Sequence, residues 1–130
     1  PTFEIGEGEM EVGMGIHGEP GIQRGKIKTA DELANTLVTT ILNDMPIEKG
    51  RDVSVLINGL GATPLEELYI FYRSVHQLLE EKGIHVYNRY IGEFATSLEM
   101  AGLSVSILRI DDELRGLLDV PFVTPFRVQN

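Results

Sequence analysis

The sequence predicts an α/β domain of the α+β kind, in which a mixed β-sheet is covered on one side by helices. Three observations carry that expectation. Val53, Val55 and Ile57, and again Leu103, Val105 and Ile107, recur at every second position, the period of a half-buried strand. Two longer stretches, starting near Thr29 and Thr63, carry apolar residues at helical spacing. Strand-like segments also gather at the N-terminus, and later ones sit at spacings that hairpins allow. This favours a mixed sheet over a doubly wound parallel one, the alternative reading.

The elements follow in order. Met10, Val12, Met14 and Ile16 alternate with Glu11, Gly13 and Gly15 and read as one strand, with residues 2–5 as another and Gly6 to Gly8 between them. From Gly18 to Lys28 the pattern collapses into Gly-Glu-Pro-Gly and a basic stretch, so a loop is expected. Thr29-Ala30-Asp31-Glu32 is a capping box, and Leu33, Leu37, Val38, Ile41, Leu42 and Met45 share the face of the helix it opens. Pro46 and Gly50 end that helix. After the Val53–Ile57 strand, Thr63-Pro64-Leu65-Glu66 places a threonine N-cap and a first-turn proline at the start of a second helix. Leu65, Leu68, Phe71, Tyr72, Val75, Leu78 and Leu79 carry it to Gly83.

Ile84, Val86, Tyr87 and Tyr90 read as a third strand region, residues 93–100 as a short helix, and residues 103–107 as a further strand. Asp111-Asp112-Glu113 opens a short helix through Leu118, its acids facing the positive end of the helix dipole. The tail from Val120, with Pro121 and Pro125, reads as extended, with an edge strand as the alternative.

Composition narrows the function classes. At 130 residues the chain is one domain's length, with 42% hydrophobic and 24% charged residues. Eleven Lys and Arg against twenty Asp and Glu give a net charge of −9, with no basic cluster. Such a field repels phosphate backbones and anionic lipid, so neither nucleic acid nor membrane is an expected partner. The absence of cysteine excludes disulfides, zinc–thiolate sites and thiol nucleophiles, and fits a cytoplasmic setting. No metal is expected either, since His17, His76 and His85 lack ligand spacing.

One histidine stands apart. Gly13-Met14-Gly15-Ile16-His17-Gly18 spells GxGxxG, but Glu19-Pro20-Gly21 follows where a dinucleotide loop would open a helix. What remains is His17 at a strand end between Gly15 and Gly18, where the backbone bends sharply and leaves space beside the ring. A neutral imidazole there is a ligand, a general base or a nucleophile toward a carbonyl carbon, or else a plain loop histidine. His76 near the apolar stripe of its helix and His85 on a strand read as structural. Asn58-Gly59-Leu60-Gly61-Ala62-Thr63 reads as a strand-to-helix connector, with a docking surface as the functional alternative. The Asp111 run reads as a helix start, and Glu4, Glu7, Glu9 and Glu11 read as a solvated face.

Met14-Gly15-Ile16-His17-Gly18-Glu19-Pro20-Gly21 resembles the histidine motif of the dihydroxyacetone kinases, in their dihydroxyacetone-binding subunit or domain. The likeness continues in Leu56-Ile57-Asn58-Gly59-Leu60-Gly61-Ala62-Thr63, in Thr96-Ser97-Leu98-Glu99-Met100-Ala101-Gly102 and in Asp111-Asp112-Glu113-Leu114. The resemblance implies a two-layer sandwich forming a single domain over residues 1–130, the second, histidine-bearing domain of a longer two-domain subunit. It implies that His17 is both the catalytic and the substrate-binding residue, its ring nitrogen adding to the ketone of dihydroxyacetone to form a hemiaminal. It implies that a catalytic aspartate comes from a preceding N-terminal domain, so these residues alone would show little kinase activity. No cofactor is expected on this domain. The phosphate donor, ATP or a phosphotransferase-linked nucleotide, would sit on a partner kinase subunit or domain, and a homodimer is expected. A non-catalytic dihydroxyacetone sensor is the alternative function.

Overall fold

The computed structural model describes residues 4–125 and 127–129. At its centre is β3 (Asp52–Gly59), flanked by β4 (His85–Gly92) and β5 (Leu103–Ile110) in the order β4-β3-β5. The β3–β4 pair is parallel and the β3–β5 pair antiparallel, so the sheet is mixed and the doubly wound alternative is excluded. Parallel pairing demands a crossover, and α2 (Leu65–Glu81) supplies it. The α1 helix (Ala30–Asp44) packs along α2.

Alternation along β3 decides the layers. Val53, Val55 and Ile57 are fully buried against Leu68, Phe71, Val75 and Leu79 of α2 and against Ala34 and Val38 of α1. The alternate residues Asp52, Ser54, Leu56 and Asn58 face the other way. On that second face lies the C-terminal segment: α3 (Asp112–Leu118), then β6 (Phe122–Val123) and β7 (Val128–Gln129) as a small antiparallel pair. Asp52 holds it, receiving the Arg115 guanidinium on one oxygen and meeting His85 Nδ1 at 3.0 Å on the other. The Tyr87 hydroxyl donates to Asp119 at 2.6 Å, which raises its phenol pKa, and Arg127 stacks over Tyr90 at 4.0 Å.

Several local expectations need correction. The first strand, β1 (Glu9–Val12), stops before Met14 and Ile16, because Gly13 turns the chain at φ +81. Within the expected loop over 18–28 lies β2 (Gln23–Lys26), pairing antiparallel with β1. Its exposed polar residues gave no alternation to read. Of residues 2–5, Thr2 and Phe3 lie outside the described residues, and Glu4 and Ile5 are not in a strand.

The capping box of α1 is present as expected, Thr29 and Glu32 each accepting the other's backbone N–H. Thr63 caps nothing. Pro64 takes the N-cap position of α2, and the Thr63 hydroxyl instead donates to Gly102 O at 2.8 Å and accepts from Gly102 N.

Residues 93–100 form no helix, because tertiary partners take their backbone groups. Asn58, 5% exposed, accepts from Phe94 N at 2.7 Å and Ala95 N at 2.9 Å and donates to Ala95 O. Ser97 N donates to Leu60 O, and Ala62 N to Met100 O. Gly61 sits at φ +129, where a Cβ would run into the Leu98 carbonyl.

Replacing Asn58 by Ala leaves two amides without their acceptor, which costs ~1–3 kcal/mol. The urea midpoint of Asn58→Ala is expected to fall accordingly with unchanged slope, and an unchanged midpoint contradicts the role of this side chain. Asp31 of α1 provides a second prediction. The Ser74 hydroxyl at 2.5 Å and the Arg73 guanidinium at 3.0 Å hold its carboxyl below the ordinary carboxylate range. A depressed folded pKa adds stability above the unfolded value, and that stability is lost as pH falls through the folded one. Stability measured between neutral and acid pH is therefore expected to fall less steeply in Asp31→Asn than in the parent chain.

Candidate functional site

His17 lies at the tip of the connection between β1 and β2, and glycines set the shape of that connection. Gly13 and Gly18 adopt φ values of +81 and +84, the left-handed region that costs other residues about 1–2 kcal/mol. A Cβ on Gly13 would stand 2.7 Å from Ile22, and one on Gly21 would stand 2.7 Å from the Val12 carbonyl. The chain thus doubles back at close quarters. Gly18 N donates to Gly15 O and Gly15 N to Glu19 O, each at 3.0 Å, closing a compact turn around His17.

Carboxylates complete the turn. Glu19 accepts from the His17 backbone N–H at 3.1 Å, and its other oxygen lies 3.7 Å from the ring Nδ1. That separation suits an ion pair with a protonated ring and is longer than a hydrogen bond. Glu11 accepts from Gly21 N at 2.7 Å, and Glu9 pairs with Arg24 at 2.8 Å while also accepting from Gly6 N. The Arg24 hydrogen bond, with help from Gly6, holds the Glu9 pKa below its usual value. Glu9 and Glu11 are therefore hairpin fasteners, where the sequence suggested a solvated face.

The His17 side chain is 86% exposed, open on the side away from Glu19. With a proton on Nδ1, facing Glu19, the lone pair of Nε2 points outward as a nucleophile or ligand. The glycine pattern leads into β2, so no helix N-terminus meets a phosphate here.

The other singled-out residues lie elsewhere. His76 stacks on Tyr72 with ring centroids 5.8 Å apart and has a buried Nδ1 without a hydrogen-bond partner among the described residues. His85 is the exposed partner of Asp52. Asp111 caps α3 by accepting from Leu114 N at 2.8 Å, the helix-start role its sequence suggests. Among the described residues no group of three His, Asp or Glu is arranged to hold a metal ion, and no helix is long and apolar enough to cross a membrane. Sequence reasoning missed Glu19 as a neighbour of His17. Its signal was the two-residue spacing inside a glycine-rich turn, which lets a side chain reach back to the backbone N–H.

Among the described residues the loop's hydrogen bonds stay within the hairpin, so it should yield separately from the core. Gly15→Ala would push a methyl into the Glu19 carboxylate. Amide exchange at His17 is expected to accelerate several-fold in that variant while residues 53–57 keep their protection. A uniform change along the chain would contradict the hairpin's independence.

Comparison with known proteins identifies the family of the chain. The Dak1 domain model matches residues 1–126. The dihydroxyacetone-binding subunit of PTS-dependent dihydroxyacetone kinase 2 from Listeria innocua serovar 6a is 49% identical over 124 residues, 95% of this chain and 38% of that protein. An L-erythrulose kinase from Pectobacterium atrosepticum is 46% identical over 96% of this chain and 22% of its own length. The solved structure of the dihydroxyacetone kinase operon co-activator Dha-DhaQ superposes with a TM-score of 0.84 at 33% identity, over 92% of this chain and 38% of that one. The chain thus spans well under half the length of these relatives. The match over residues 1–126 and the identity to these relatives show that the chain belongs to the Dak1 domain family.

Proposed function

We propose that this chain is the substrate-tethering domain of a dihydroxyacetone kinase, in which His17 binds dihydroxyacetone covalently for phosphoryl transfer to dihydroxyacetone phosphate. The observation that carries this reading is the imidazole of His17, exposed at the tip of a tightly fastened turn in a Dak1 domain. In the proposed step Nε2 adds its lone pair to the central carbonyl carbon and the C=O π pair moves to oxygen. The alkoxide gains a proton as Nδ1 loses one, and the product is a neutral hemiaminal. Glu19, 3.7 Å from Nδ1, relays that proton once the pair closes to hydrogen-bond distance. No bond leaves, so addition is reversible.

Covalent addition selects ketoses over glycerol, which offers matching hydroxyls and no electrophile. It also holds a ligand too small to gain much affinity from contacts. Phosphoryl transfer then needs positioning and charge stabilisation from other parts of the assembly. In this reading residues 1–130 are the second domain of a two-domain subunit. A preceding domain supplies the base, a nucleotide-carrying kinase subunit or domain supplies ATP or a phosphotransferase-linked donor, and the subunit is a homodimer. A second reading, a non-catalytic dihydroxyacetone sensor, is favoured by the likeness to the co-activator structure. Both use the same tether.

Native mass spectrometry with dihydroxyacetone is expected to show one added triose per chain, none with glycerol, and none in His17→Ala. An adduct that survives His17→Ala would overturn the site. Protonation removes the attacking lone pair, so adduct occupancy is expected to fall as the solution is acidified. Occupancy that stays level from alkaline to strongly acidic pH would argue against imidazole addition.

A further inference from the structure

A cleft of about 490 Å³ opens beside the end of β4, apart from the His17 loop, none of whose residues line it. Its walls include Tyr69 of α2, Tyr90 of β4 and Phe94, and its polar groups are Arg89, Glu93 and Arg127. The volume lies in the range of small-molecule sites.

Charge pairing sets this cleft apart. Arg24, Arg51, Arg73 and Arg115 each pair with a carboxylate, on Glu9, Glu48, Asp31 and Asp52. Like Arg109, neither Arg89 nor Arg127 has a carboxylate partner among the described residues, although acids outnumber bases by twenty to eleven. Both line this one cleft. Register explains how they converge. Arg89 lies opposite Val55 and so shares the helix-facing side of the sheet, while Tyr90 lies opposite Leu56 on the other side. Arg127 stacks on Tyr90, so the two guanidinium groups approach the cleft from either side of β4.

The aromatic walls are also fixed. Tyr90 and Phe94 meet edge to face with centroids 6.5 Å apart, and Arg127 stands 4.0 Å over the Tyr90 ring. A guanidinium stacked on a ring keeps its N–H edge available, and that edge matches the two oxygens of a carboxylate or phosphate. Two arginines less Glu93 leave a net charge of +1 among the lining side chains.

We infer that this cleft is a second ligand site, for a small anion in which a carboxylate or phosphate monoester is carried on a flat apolar group. The oxygens bind Arg89 and Arg127, and the flat body lies against the tyrosine rings. The inference is independent of the hemiaminal at His17.

The test is a ¹H–¹⁵N titration of the 130-residue chain with benzoate, with phenyl phosphate, and with neutral benzamide as control. Either anion, or both, is expected to give saturable shifts centred on residues 89–93 and 127, and the comparison shows which headgroup the site takes. Arg89→Gln and Arg127→Gln, checked for folding by circular dichroism, are each expected to weaken binding at least about tenfold. Binding of benzamide as tight as that of the anions would overturn the inference. So would shifts that never saturate, or arginine variants that bind as the parent does.

Discussion

The structure depends on β3 being paired along both edges. Each residue from Asp52 to Asn58 has partners on β4 and β5, and the odd-numbered side chains Val53, Val55 and Ile57 are fully buried. A strand placed this way cannot slip by one residue without exchanging its buried and outward faces, so its alternation fixes the register of the sheet. Asn58 extends that constraint past the strand by taking the amides of Phe94 and Ala95. The loops at this end are therefore ordered by a buried polar side chain, and the strand's position is passed on to both connections.

The histidine loop is organised on a different principle. It is built from glycine backbone geometry and from carboxylates that accept N–H groups, with the core contributing little. Val12 is the buried apolar residue of the β1–β2 hairpin, and Lys28 reaches Thr36 of α1 at 3.5 Å just beyond it. A loop of this kind fixes the backbone of one residue while leaving its side chain open to solvent. Reaction with a small carbonyl compound requires that combination. A histidine packed into the core would keep its orientation and lose its access.

Legibility in the sequence followed the nature of each signal. The buried strands and both long helices were readable because apolar periodicity records burial, as at Val53–Ile57 and along α2. The α1 cap was readable because both halves of a capping box are local. Thr63 misled because the same local pattern was overridden by a partner 39 residues away, Gly102. Residues 93–100 misled for the same reason, their backbone groups being claimed by Asn58 and by residues 60–62. The β2 strand left no trace because exposed polar residues carry no alternation. At the site, His17 stood out through its glycines, whereas Glu19 passed as one acid among many until its contact with the His17 amide was seen.

The proposed tether does not by itself separate a kinase from a sensor, and the chemistry shows why. Hemiaminal formation is complete when a proton has moved from nitrogen to oxygen, and it needs neither nucleotide nor metal. A domain that stops there is a receptor for ketoses. Turnover requires a base for the terminal hydroxyl and a phosphoryl group held in line with it. Apart from Glu19, the carboxylates that build the loop, Glu9 and Glu11, are engaged by Arg24, Gly6 and Gly21. Glu19 itself faces the ring nitrogen. Under the proposed function, the acid–base partner for phosphoryl transfer would approach from the open side of His17, and the residues lining that approach would decide whether a bound ketose is phosphorylated or only reported.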